Sequence, residues 1–129
     1  MNARNRLLEI LKTLAYEERE VILASGKPST FYIDCKQAVL TAEGHFLVGT
    51  LINELLENIA PDVRAVGGLT MGADPIASAV ATVSWTRGRP IDEFFVRKEP
   101  KGSGRQEWLE GVMTVKPGTP VAIVEDVCT

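Results

Sequence analysis

The chain has 129 residues, 45% of them hydrophobic and 24% charged, with 14 Lys+Arg against 17 Asp+Glu and a net charge of −3. That length suits one domain with a sizeable core; the acidic balance argues against a large nucleic-acid surface, and no apolar run approaches the ~20 residues of a membrane span. Two cysteines far apart in sequence, Cys35 and Cys128, and a single histidine, His45, argue against a zinc site and fit a reduced, cytoplasmic protein.

The opening "MNARNRLLEILKTL" lacks the uninterrupted apolar stretch and small-residue cleavage site of a secretory signal. It predicts an amphipathic helix whose apolar face joins Leu7, Leu11 and Leu14 with Leu8 and Ala15. "VILASGKPSTFYIDCKQAVL" predicts two extended segments around a Ser-Gly-Lys-Pro turn. Thr41 is placed to cap a second helix, whose buried stripe is Leu47, Leu51 and Leu55 with Ile52, Leu56 and Ile59; Pro61 and Asp62 end it. Ala65 and Val66 then form a short strand that runs into Gly67 and Gly68. Asp74 is a candidate cap for a third helix with Pro75 at its first position. Ile76, Val80 and Val83 supply its apolar stripe, and Ala77, Ala79 and Ala81 let it sit close to a sheet.

"RGRP" predicts a turn, "IDEFFVRK" a strand, "EPKGSGRQEW" a mobile loop and "EGVMTVKPGTP" a strand and turn. "VAIV" predicts the last strand, and its unbroken apolar run implies burial on both faces, as in a central parallel strand. Strands alternating with helices predict an α/β sheet with helices on both sides.

Two charged features stand out. Arg97, Lys98, Lys101 and Arg105, with only Glu99 among them, make a local +3 that leaves −6 on the rest of the chain. A small basic patch on an acidic protein suits a small anionic ligand, although Arg97 and Lys98 can equally be a solvated strand end and Lys101 an ordinary loop lysine. Glu125 and Asp126 stand at the tip of the last strand. In open parallel sheets ligands bind beyond the carboxyl ends of the strands, where the strand order reverses. Two acids there can bind ribose hydroxyls and help place a magnesium ion through its waters; the same pair can simply cap a following helix or face solvent. Gly67 and Gly68 read as a tight turn or as a place of close backbone approach. His45 reads as a surface residue, Trp85 and Trp108 as packing residues, and Cys128, with no base nearby, has no nucleophilic role.

Taken together the motifs carry a resemblance. "VAIVEDVCT" resembles the front half of the phosphoribosyl-pyrophosphate (PRPP) motif of type I phosphoribosyltransferases: an apolar strand, two acids, then a Thr/Gly-rich loop. "FFVRKEPKGSG" followed by "EG" resembles the catalytic loop of the orotate phosphoribosyltransferase branch, and "LASGKPSTFYID" and "VGGLTMGADPIA" match that branch's N-terminal and first-loop segments in order. The likeness covers the chain from about Glu17 onward. It implies a type I phosphoribosyltransferase fold, α/β with a central, mainly parallel sheet flanked by helices. Residues 1–40 would form a helix and small hood, and 41–129 the core, with the catalytic loop at about 98–108. The implied reaction joins orotate and PRPP to give orotidine 5′-monophosphate and diphosphate in pyrimidine biosynthesis, with Mg²⁺ bound through PRPP and waters rather than directly by side chains.

By the same resemblance Lys101 and Asp126 are the catalytic residues. Arg97, Lys98, Lys101 and Ser103 bind the diphosphate, and Glu125 and Asp126 the ribose hydroxyls. Val127, Cys128 and Thr129 continue the PRPP segment, while Thr129, Tyr32 and Ile33 lie beside orotate. The implied partners are these small molecules and a second copy of the chain, a homodimer in which each loop reaches the neighbouring site; no nucleic acid and no membrane are implied.

Three departures from the pattern stand in the sequence. Ser103 replaces a histidine that some members carry; it can bond a phosphate oxygen but not bring charge. Ala24 and Gly72 occupy positions where some members have lysines, although Lys27 is close by. The chain stops at Thr129, before the phosphate-cradling turn, the helix and last strands after it, and an arginine expected to hold the orotate carboxylate, so the fold is expected to be incomplete at this end and turnover by this chain alone poor or absent. The competing readings are a phosphoribosyltransferase for another base, a non-catalytic PRPP-binding or dimerisation module, and the product of a shortened reading frame.

Overall fold

The structure, a computed structural model, describes residues 1–100, 102, 108–111 and 113–128. Helix α1 spans Ala3–Ile10, capped by the Asn2 side chain, which accepts a hydrogen bond from the Asn5 backbone N–H at 2.8 Å. It continues as a π-helical turn over Leu11–Ala15. Ile10 and Ala15 are buried, with Ala3, Leu7 and Leu11 packed beside them, whereas Leu8 and Leu14 of the expected face are 49% and 46% exposed. Leu8 lies off the stripe made by Leu7, Ile10 and Leu11, and the wider π turn rotates Leu14 away from it.

Strands β1 (Tyr16–Ile22) and β2 (Pro28–Ile33) form an antiparallel two-stranded ribbon. The turn closes where the Leu23 N–H donates to the Lys27 carbonyl at 2.9 Å. β1 begins upstream of the expected segment and takes in Glu17, Glu18 and Glu20, which a ribbon exposed along nearly its whole length tolerates. A short helix α2 (Lys36–Val39), not foreseen from sequence, leads to α3 (Ala42–Ile59). Thr41 caps α3 as expected, accepting from the Gly44 N–H at 3.0 Å. Its buried face is Gly44, Leu47, Gly49, Asn53 and Leu56; Leu55 and Ile59 of the predicted stripe are exposed. Hydropathy hides this face because its centre is polar. Asn53 is 2% exposed and donates to the Gly49 and Val80 carbonyls at 2.7 and 3.0 Å, binding α3 to α4 (Asp74–Thr86).

The main sheet runs in the order β5-β4-β3-β6, with β3 Ala65–Leu69, β4 Asp92–Val96, β5 Leu109–Glu110 and β6 Val121–Ile123. β3 is parallel to β4 and β6, and β5 is antiparallel to β4. The expected α/β class with a mainly parallel sheet holds. Val66 of β3 packs with Leu56 of α3, Ala77 and Val80 of α4, Ala122 of β6 and Val124 just after it. Because β3 leads through α4 to β4 on one side while β6 lies on its other side, the strand order reverses between β3 and β6.

Four local expectations are corrected. β6 pairs only with β3 among the described residues, and Val121 and Ile123 are 39% and 69% exposed, so "VAIV" is an edge strand rather than a doubly buried central one. Gly67 and Gly68 lie within β3, buried, and not in a turn. The "EGVMTVKPGTP" strand is limited to Glu110, after which the described residues of 113–119 are turns and bends without a strand. Trp85 and Trp108 are 75% and 53% exposed and do not serve the core. His45, in the first turn of α3, is intermediate in burial. Among the described residues no helix is long and apolar enough to cross a membrane.

Candidate functional site

The carboxyl ends of β3 and β6 open side by side into two short connections. After β3, residues 70–73 lead into α4, with a cis Thr70-Met71 peptide. Helix α4 begins at Asp74 itself, with Ala73 in the cap position already helical and making no side-chain cap bond. The expected cap residue is thus one position inside, and its carboxylate accepts the Thr70 hydroxyl at 3.0 and 3.3 Å. After β6 come Glu125 and Asp126. The two connections touch: a Cβ on Gly72 would lie 2.3 Å from Asp126 Oδ1 and 2.9 Å from Glu125 Oε1. Only a glycine lets the acids sit this close to the loop, so any side chain here requires a different arrangement of the pair.

The acids are unlike each other. The Asp126 side chain is 14% exposed and has the Lys36 ammonium 3.7 Å from Oδ2; Glu125 is exposed and its Oε1 accepts the Asp126 N–H at 3.0 Å. The Glu125 carboxyl titrates above the ordinary glutamate value, first because it shares a hydrogen bond with the Asp126 carboxyl, then through partial desolvation and the charges of Asp126 and Asp74, with the Asp126 N–H opposing. A carboxyl whose folded value is raised favours the folded state below the ordinary range, and that advantage is lost as pH rises through the raised value. Glu125→Gln is therefore expected to melt higher than its parent at about pH 8 and together with it at about pH 4. Thermal melts across that range check this; equal melting points at the alkaline end would refute it.

Cys35 is also near, its thiol pushed up by burial and then by the charges of Asp126 and Asp34, against Lys36. Beneath the acids a cavity of about 410 Å³ is lined by Leu11, Ile52 and Ile76 and by Cys35, Asp126 and Cys128. A larger hollow of about 780 Å³ follows the hairpin past Glu20, Ile22 and Ser29 and is lined by none of the candidate site residues.

The remaining candidates are spread around this centre. Arg97 follows the carboxyl end of β4, on the same edge of the sheet, and its guanidinium is held by Glu110 of β5, with Nε donating to Oε1 at 3.0 Å. Lys98 is exposed. Tyr32 lies in a polar cleft of about 420 Å³ with Arg19, Asp34 and Gln37, the Arg19 guanidinium 5.1 Å from its ring centre; Ile33 is 45% exposed on the same strand. Val127 and Cys128 are exposed beyond the acids. Lys101, Ser103 and Thr129 lie outside the described residues. Sequence reasoning passed over Asp34 and Lys36. Their signal was present as two opposite charges flanking Cys35 where an extended segment turns into a helix.

No family model matches the chain. Among curated proteins it is 50% identical to the orotate phosphoribosyltransferase of Sorangium cellulosum, over 98% of this chain and 65% of that protein. It is 45% identical to that of Aquifex aeolicus, over 100% and 70%. Among solved structures, the Mycobacterium tuberculosis orotate phosphoribosyltransferase superposes with a TM-score of 0.81 at 38% identity, covering 99% of this chain and 69% of that one, in its complex with Fe(III) dicitrate. Its complex with PRPP gives 0.73 at 36%, covering 99% and 67%. The chain spans 59–65% of the length of the first three curated relatives it matches. Identity of this order over nearly every residue, on the same fold, has one reading: the chain belongs to the orotate phosphoribosyltransferase family.

Proposed function

We propose that this chain carries the PRPP-binding side of an orotate phosphoribosyltransferase site, transferring a phosphoribosyl group from PRPP to orotate. The observation that supports it best is the acid pair at the β3/β6 strand-order reversal, backed by the Gly72 loop. As the bond from C1 to diphosphate opens, positive charge develops on the ribosyl ring and negative charge on the departing diphosphate. Glu125 and Asp126 accept the ribose hydroxyls and fix the ring. Arg97, Lys98 and Lys101, with Ser103 as a neutral donor, meet the diphosphate oxygens, and Val127, Cys128 and Thr129 continue along the PRPP. Tyr32, Ile33 and Thr129 hold orotate so that its ring nitrogen reaches C1 from the face opposite the leaving group. The carboxylates are hard oxygen donors of the kind Mg²⁺ takes, and would hold it through its water ligands; when bound it neutralises diphosphate oxygens. The site is completed across a homodimer, in the cytoplasm.

A second reading, PRPP binding without turnover, draws on the exposure of β6, the strand that carries the acids. Calorimetric titration of a chain of the relatives' full length with PRPP in the presence of magnesium, alongside an orotate-consumption assay, separates the two. Binding with turnover supports transfer, binding alone supports the second reading, and no binding rejects both.

A further inference from the structure

Lys36 opens α2 directly after β2 and belongs to none of the motifs above. Its ammonium lies 3.1 Å from Asp34 Oδ1 and 3.7 Å from Asp126 Oδ2. Asp34 is itself fixed locally: Oδ1 accepts the Lys36 backbone N–H at 3.2 Å and Oδ2 the Gln37 amide at 3.1 Å. The Gln37 bond, then the contacts with Lys36, hold the Asp34 carboxyl below its ordinary range against partial desolvation. The lysine is thus anchored to the end of the ribbon while it reaches a carboxylate of the core. Lys36 stands against Asp126 Oδ2, while Oδ1 occupies space that a Cβ on Gly72 would reach to within 2.3 Å.

A carboxylate's terminal torsion is broad and roughly two-fold, so a lone aspartate has no single orientation. Here the pressure to turn is greater. Asp34 shares the same lysine, the Glu125 and Asp126 carboxyls share a hydrogen bond, Asp74 acts on Glu125, and the charge of Asp126 is felt at the Cys35 thiol. Among the described residues, the ion pair that reaches Asp126 comes from Lys36. The lysine side chain is 46% exposed, where an ion pair adds little to stability, so its value to the molecule lies elsewhere.

We propose that Lys36 is a positioning residue for the ribose-binding acid: by holding Asp126 Oδ2 it presents one carboxylate orientation to a vicinal diol and couples the end of β2, beside Tyr32 and Ile33, to the core. This rests on the reading of Glu125 and Asp126 as the ribose site. Lys36→Met keeps the stem and removes the charge, and Lys36→Arg keeps the charge.

In the 129-residue chain, Lys36→Met is expected to melt within about 2 °C of the parent. Its Asp126 amide, which donates to Glu125 Oε1, should exchange hydrogen faster. Its affinity for magnesium-PRPP should fall about tenfold. Lys36→Arg should restore both exchange and affinity. Where turnover is measurable, KM for PRPP should rise more than kcat falls. Parent-like exchange at Asp126 in Lys36→Met overturns the proposal whether or not PRPP binds. Parent-like affinity overturns it too, as does a large fall in the melting point of Lys36→Met, which would make the role of Lys36 structural. If the parent itself takes up no PRPP, the ribose-site reading fails and hydrogen exchange alone judges the pinning of Asp126.

Discussion

Lys101→Ala, in a chain of the relatives' full length, is expected to slow orotate consumption by about 10²–10³-fold, the usual cost of removing one donor aimed at charge that develops in the transition state. Residues 97–105 hold a local +3 on a chain of net −3, and one of those cations, Arg97, is already engaged by Glu110. A diphosphate gains negative charge as it leaves, so a cation that meets it only then contributes to kcat rather than to ground-state binding. Lys101 lies outside the described residues, and its assignment comes from the match to the family's loop. The prediction is therefore a split: kcat falls by the stated factor, the dissociation constant for magnesium-PRPP changes only a few-fold, and the melting point is unchanged. Steady-state kinetics with a parallel binding titration measure all three. A variant that turns over like the parent removes Lys101 from the chemistry.

The fold was legible where one physical cause acted locally. Thr41 caps α3 because its hydroxyl is the only short acceptor at the start of an apolar-periodic run, and the spacing of Ile76, Val80 and Val83 placed α4. The place of the acids, at the carboxyl end of a parallel strand beside the strand-order reversal, was legible from the apolar run that precedes them. What was not legible came from partners distant in the chain. Asn53 is polar and central to a helix contact because Val80 supplies its acceptor from 27 residues away. "VAIV" looks doubly buried by composition, but burial depends on what lies beyond the strand, and β6 has a neighbour on one side only among the described residues. The glycine pair of β3 reads either as a turn, because glycine breaks strands on average, or as a place of close backbone approach. Here tertiary packing overrides the propensity, since neither residue has room for a side chain. Lys36 escaped for the same reason, its meaning set by Asp126 at the far end of the sequence.

Gly68→Ala is expected to be the most damaging single-methyl substitution at the sheet, with a loss of about 3 kcal/mol. A Cβ there would stand 2.2 Å from the Val124 carbonyl oxygen and 2.7 Å from the Ala73 Cβ, on a residue buried in the sheet between them. Neither obstacle is a flexible tip: one is backbone and the other a buried alanine, 0% exposed, at the entry to α4. Relief requires residue 124 to move outward, which strains the hydrogen bond from the Val124 N–H to the Gly67 carbonyl, now 2.9 Å. Residue 124 immediately precedes the acid pair, so the same movement draws Glu125 and Asp126 away from the Gly72 loop. Two effects should therefore appear together. The melting point falls by roughly 10 °C or more, and the protein that remains folded at low temperature binds magnesium-PRPP more weakly than the parent. Gly102→Ala, where a Cβ meets nothing within 4 Å among the described residues, sets the baseline and should melt with the parent. If Gly68→Ala also melts with the parent, the close approach of β3 to residue 124 is not what holds the acids in place.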